Sequence, residues 1–181
     1  MRREPLPSRW QEKLVLDDGR ELWLRPIEPA DAEPLRAGFA LLTPEEVRLR
    51  FLHPLKELTP DMARRLTHLD PQREFALVAA EPLPPGEALV GAVARASIEG
   101  DGRQAEFAIL VSRFLAGRGL GWLMMKRIIR WAKLKRLDEL YGDVLDENSQ
   151  MLTLAQALGF RREPLHDDPG IVRVRLALRE H

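Results

Sequence analysis

No cysteine occurs in the chain. Its absence excludes disulfides, thiolate nucleophiles and zinc sites built on sulfur, and it fits a reducing, cytoplasmic setting. An excess of one charge sign is also lacking. With 28 Lys plus Arg against 28 Asp plus Glu, no long-range field gathers polyanions, so nucleic acid is not an expected partner. Long apolar runs are missing as well: nothing approaches the roughly 18 uncharged residues of a membrane span. The opening MRREPLPSRWQEK has basic residues with no apolar segment behind them, so neither export nor membrane insertion is expected. The four histidines, His53, His68, His166 and His181, share no ligand spacing, and no metal site is expected.

What is present is enough apolar material for a core. The 181 residues are 45% hydrophobic, which suits one domain at about 150 residues per domain. Residues 1–12, polar and proline-bearing, are read as a flexible segment, and 13–181 as a single folded domain. LVLDDGRELWLRPI places two apolar runs around Asp18-Gly19, a hairpin turn pair, and predicts strands over 13–17 and 21–26. Ala32, Leu35, Phe39 and Leu42 share one helical face, predicting a helix over 30–41. TPEEVRLRFL and TPDMARRLTHL each offer Thr as N-cap, Pro at the first helical position and acids in the first turn, so helices begin at Pro44 and Pro60.

From Arg73 the period changes to two. REFALVAAE, EALVGAVARASIE and QAEFAILVS read as a meander of three strands. GLGWLMMKRIIRWAKLKRL carries Leu120, Leu123, Met124, Ile128, Trp131 and Leu134 at helical spacing and is the longest helix. ELYGDVL is a strand, NSQMLTLAQALGF a helix closing at Gly159, and IVRVRLAL a last strand alternating apolar residues with arginine. Together these describe an α/β protein built on a mixed sheet.

The stretch LAGRGLGWLM sets three glycines at alternate positions before the long helix. A P-loop is excluded because Trp122 stands where its second glycine belongs, with no Lys-Ser beyond. A dinucleotide fingerprint fails at the same residue. What remains is a turn whose glycines admit a close ligand while N–H groups and a helix dipole converge, a fit for pyrophosphate. A plain strand-to-helix connection is the alternative.

FAILVSRFLAGRGLGWLM followed by NSQMLTLAQALGF resembles the acetyl-CoA-binding core of the GNAT superfamily of N-acetyltransferases. That superfamily's turn reads [QR]-x-x-G-x-[GA], and residues 116–121 match it except that Ala116 replaces the polar first residue. LRPIEPADAEPL, LTPEEVRLRF, LTPDMARRLTHLD, AEFAILV and VLDENSQMLTLAQALGF extend the resemblance, over about residues 24–178, to the GNAT domain of bacterial protein lysine acetyltransferases, which acetylate the active-site lysine of acyl-CoA synthetases. The resemblance implies the GNAT acyl-CoA N-acyltransferase fold, a central sheet flanked by helices with its fourth strand splayed from its fifth. It also implies acetyl-CoA as co-substrate and a protein lysine as acceptor.

Residue by residue, it implies that main-chain groups near Leu110, Val111 and Ser112 pair with the pantetheine arm and that Val111 N–H is the oxyanion donor. Gly117, Arg118, Gly119, Leu120, Gly121 and Trp122 then surround the pyrophosphate, Arg118 also being a candidate for the 3′-phosphate. Asn148, heading N-x-x-M-x-x-L, lies against the pantetheine and also suits a helix N-cap. The general base is Glu106: apolar strand neighbours desolvate its carboxylate and raise its pKa, and the matching glutamate is the base in the enzymes resembled. Where many superfamily members carry a tyrosine acid stands Ala155, so the leaving thiolate has no assigned proton donor. The rings of Trp122 and Trp131 read as packing, and KRIIRWAKLKR as cations complementing a helix C-terminus. Three acceptor readings stay open: a protein lysine, a small amine, or no efficient acceptor, as in an acyl-CoA-binding module. Acyl-chain preference and oligomeric state are not legible.

Overall fold

The computed structural model describes residues 2–5 as backbone and 10–52, 55–115, 119–165 and 167–179 in full. Strand β1 (Arg2–Pro5) pairs antiparallel with β2 (Glu12–Val15), and β2 with β3 (Glu21–Pro26). Between β2 and β3 the Asp18-Gly19 turn closes with Gly19 at φ +88°, a conformation glycine adopts without strain. A 3-10 turn (Pro29–Asp31) leads into α1 (Ala32–Ala40), followed by α2 (Pro44–Phe51) and α3 (Pro60–Thr67). Thr43 caps α2 and Thr59 caps α3, each accepting from the backbone N–H three residues on. The meander is β4 (Glu74–Ala80), β5 (Val90–Glu99) and β6 (Gln104–Val111). Helix α4 (Leu120–Leu134), β7 (Glu139–Leu145), α5 (Ser149–Ala157), β8 (Arg161–Pro164) and β9 (Ile171–Ala177) complete the order.

The strands form one sheet in the order β1-β2-β3-β4-β5-β6-β7-β9-β8. Each neighbouring pair is antiparallel except β6 and β7, which run parallel. Residues 1–12 are read from the sequence as loose, yet Arg2–Pro5 forms one sheet edge. The other edge, β8, is also absent from the sequence reading. Both edges have the same sequence, Arg-Arg-Glu-Pro, which shows no apolar periodicity and has the charge and proline that discourage further strand addition.

The core lies between α4 and one face of the sheet. Leu120, Leu123, Met124, Ile128 and Trp131 are buried against Leu77, Ala79, Ala92, Ala94, Ala96 and Phe107. The alanine row on β4 and β5 leaves room for the larger helix residues, and the Trp131 ring stacks on Phe75 at 5.5 Å. Leu134, expected on this face, is exposed; the helix ends there, with Arg136 already at φ +59°. On the opposite face α1, α2 and α3 form a cap over Ile27, Ala76, Val78 and Ala80, with Leu35 of α1 packed on them. A buried ion pair that the sequence reading misses, Arg25 with Asp31 (both contacts 2.8 Å), pins β3 to the entry of this cap.

Candidate active site

Strands β6 and β7 pair over three residues only, Gln104 with Glu139, Ala105 with Leu140 and Glu106 with Tyr141. Beyond them β6 continues to Val111 beside β5 while β7 continues beside β9. A gap therefore opens past Glu106, as the resemblance implies. Phe107 fills its floor, close enough to Gly142 that a Cβ there would lie 2.6 Å from the ring.

Antiparallel alternation decides what faces the gap. Ser112 N–H donates to Gly91 O at 2.9 Å, so Ser112, and by the same alternation Leu110, turn their main-chain groups to β5. Val111, between them, turns its N–H away from β5 toward the gap. Of these three site residues, then, Val111 alone offers a main-chain donor on that side, while Leu110 and Ser112 line a cavity on the cap side of the sheet.

Gly119 is the N-cap of α4 with φ +75°, and nothing stands within 4 Å of where its Cβ would be. The N-cap glycine has no side chain to cap this helix and no acid occupies its first turn, so among the described residues no acid of the helix itself competes for the N–H groups of Leu120, Gly121 and Trp122 at its head. These are the features an anionic diphosphate requires. Gly121 comes close to Leu154 and Val111, its Cβ position being 3.4 Å from the former, which ties the helix head to the gap. The Trp122 ring, expected to pack, is 40% exposed, with Lys126 5.9 Å over it. Ala116, Gly117 and Arg118 lie outside the described residues. Asn148 caps α5, its Oδ1 accepting from Met151 N–H at 3.2 Å, and Ala155 is buried in the core.

Glu106 stands at the apex where the strands part. Register sets its side chain on the cap face with Arg95, Ser97 and Glu99 of β5 and with Tyr141 and Asp143 of β7. The Tyr141 hydroxyl donates to Glu99 and lies 3.5 Å from Glu106 Oε2. Arg173 on β9 binds Asp143 through two contacts, 2.7 and 3.0 Å, and spreads over the Tyr141 ring. Partial burial raises the Glu106 pKa; the Glu99 carboxylate and the charge of Asp143 push the same way, and Arg173 opposes them. Tyr141 is raised too, by burial and then by its bond to Glu99 and the nearby carboxylates, so it stays a protonated donor. The result is a carboxyl group moved toward the range useful for accepting an ammonium proton. Sequence reasoning picks out Glu106 but not the grouping of Glu99, Tyr141, Asp143 and Arg173 that the strand register brings around it.

Residues 21–161 match the family model for the acetyltransferase (GNAT) domain. The chain belongs to the GNAT acetyltransferases. It is 32% identical over 171 residues to acetyltransferase PA5475 of Pseudomonas aeruginosa, covering 93% of this chain and 89% of that protein. Among solved structures, the GNAT domain of PAT from S. lividans superposes with a TM-score of 0.82 at 25% identity, over 96% of this chain and 100% of that one. YncA of Salmonella typhimurium, a structure with acetyl-CoA, shares the fold at a TM-score of 0.62 and 18% identity, over 88% of this chain and 95% of that one. As a GNAT enzyme the chain carries out acetyl-CoA-dependent N-acetyl transfer. The head of α4 and the gap beside Val111 fit such a donor.

Proposed function

We propose that this GNAT enzyme acetylates the side-chain amine of a protein lysine, with Glu106 as general base and Val111 N–H as donor to the acetyl carbonyl oxygen. The observation that carries the reading is the place of Glu106: a carboxylate with a raised pKa at the apex where β6 and β7 separate. Acetyl-CoA supplies the activated acetyl group. The chain supplies the α4 head, with Gly119, Leu120, Gly121 and Trp122, for the diphosphate, the Val111 edge for the pantetheine end, and Glu106 to take the amine proton, directly or through water. Asn148, the cap of α5, is the candidate side chain for the pantetheine. The likeness to the S. lividans PAT domain supports a protein acceptor.

A second reading, a small amine, is favoured by the half-open cavity between the cap helices and the sheet, about 490 Å³ and within the range of small-molecule sites. Incubation with labelled acetyl-CoA and a cell extract, followed by mass spectrometry, tests the choice. Label on a protein lysine is the expected result. Label confined to small amines selects the second reading, and coenzyme A thioesters without calorimetric affinity for the purified protein overturn both.

A further inference from the structure

Between the cap helices and the sheet, the cavity is walled mainly by apolar groups, among them Ile27, Leu35, Phe39, Phe51 and Val93. Leu110 and Ser112 bound it on the side of β6. Its charged lining residues are Arg20, Glu21, Arg50, Glu81, Arg95 and Arg113; Arg20 is held by Asp18 and Arg113 by Glu46, which leaves Arg50 from α2 and Arg95 from β5 as the cations available to a ligand. Arg95 is 15% exposed and only loosely paired, 3.5 Å from Glu74. Arg50 rests on the ring of Phe51, 4.6 Å from its centroid. Among the described residues no carboxylate lies within ion-pair distance of Arg50.

Burial and the like charge of Arg95 pull the Arg50 guanidinium down to about 10, with Glu106 acting in the opposite direction. Burial lowers Arg95 too, against the pull of Glu74. Holding two partly desolvated cations at one cavity is unfavourable unless an anion joins them. Planar guanidinium groups bind carboxylates through paired, directional hydrogen bonds. The rest of the lining excludes a strongly hydrated ligand and welcomes a hydrocarbon one.

We infer that the small acceptor this cavity takes is an apolar α-amino acid: its carboxylate docks on Arg50 and Arg95, its side chain fills the apolar part of the cavity, and its amine turns toward Glu106. This inference rests on the small-amine reading of the proposed function. A neutral amine of the same size would leave Arg50 without an anion, and a polyamine would be repelled by both arginines.

Paired ligands test this. Calorimetry in the presence of coenzyme A compares N-acetyl-L-phenylalanine with N-acetylphenethylamine, which differ only by the carboxylate, and kinetics compares L-phenylalanine with phenethylamine as acceptors. The carboxylate form is expected to bind about tenfold tighter or more, with a matching preference in kcat/KM. Arg50→Gln and Arg95→Gln are each expected to bring that ratio within about threefold, and Arg50→Lys to restore part of it; as a ratio, it is independent of how much protein folds. Equal affinity in the parent protein, or a preference that survives both glutamine variants, overturns the inference. Acetylation of protein lysine with no discrimination between the paired ligands also overturns it and leaves the protein-lysine reading standing. A carboxylate preference that vanishes in Arg50→Gln, in a protein that acetylates neither ligand, upholds the anion site and counts against the Glu106 chemistry instead.

Discussion

Glu106 and Phe107 are neighbours on β6 and point to opposite faces of the sheet. Phe107 faces α4, buried among Phe160, Gly142 and the alanines of β5. Glu106 faces the cap, among Glu99, Tyr141, Asp143 and Arg173. Around Phe107 the packing is close and uncharged; around Glu106 carboxylates gather, and among the described residues no carboxylate lies within ion-pair distance of Arg50. A protein at its stability optimum would keep only the first kind of face. The second holds groups in states that water would relieve, a condition chemistry on an amine needs, and the α4 face offsets that cost.

Replacing Glu106 by Gln sharpens this contrast most. It is expected to lower kcat about 10²- to 10⁴-fold, the usual weight of a general base, while coenzyme A still binds. Its effect on stability has a predictable sign. The folded-state pKa of Glu106 is raised, so the folded protein holds this proton to higher pH than the unfolded chain does. The penalty is absent below the unfolded value of about 4.3, grows as pH rises through the window up to the folded value, and is complete above it. Glu106→Gln is therefore expected to melt no lower than the parent at pH 8 and to match it near pH 4. An unaltered rate across a pH series would refute the assignment. Phe107→Ala, one residue away, is expected to cost about 3–5 kcal/mol in denaturant unfolding, as buried aromatics do. If the two variants exchanged effects, the division of labour between the faces would be wrong.

Much of this division is visible as alternation. Leu77, Ala79, Ala92, Ala94 and Phe107 are separated by residues of the other face, and a period of two marks them in the sequence. The candidate base was legible because it is local: one acid among apolar strand residues, in a stretch resembling a family. Its surroundings were not. Glu99, Tyr141, Asp143 and Arg173 meet Glu106 only through the register of β5, β6, β7 and β9, and a one-residue slip would send each to the opposite face. Arg50 is hidden for the same reason, since an arginine on a short helix reads as a solvated cation until the helix is docked. The strands β1 and β8 escaped because charged, proline-ended edges carry no hydrophobic signal.

Gly142→Ala probes where the two faces touch. The added methyl would lie 2.6 and 2.7 Å from Phe107 ring atoms, so the ring must move in a packed floor, an overpacking cost of about 1–3 kcal/mol. That floor underlies the gap between β6 and β7. Unfolding and acetyl-CoA KM measured together are expected to shift together. A stability loss with KM unchanged would mean that the donor side does not depend on the dry core directly beneath it.

The smallest expected effect concerns the cap. Thr43 accepts from Glu46 N–H at 3.1 Å while Glu46 accepts from Thr43 N–H at 3.0 Å, and Glu46 also holds Arg113, at 2.8 Å, on the loop after β6. Burial pushes the Glu46 pKa upward, but the Thr43 N–H, Arg113 and the Thr43 hydroxyl together bring it below its ordinary value. The stability it contributes is therefore present above the unfolded carboxylate pKa and lost as pH falls through the folded one. Thr43→Ala and Thr59→Ala should each cost about 1 kcal/mol at neutral pH, the worth of an N-cap. They should differ in function, because α2 carries Arg50 and is fastened to the loop after β6 through Glu46 and Arg113, whereas the Thr59 hydroxyl caps α3 through Met62 alone. Thr43→Ala is thus expected to raise KM for a carboxylate-bearing acceptor more than Thr59→Ala does at equal stability loss; equal KM shifts would mean that α1, α2 and α3 respond as one block and that the clamp on α2 carries no separate weight.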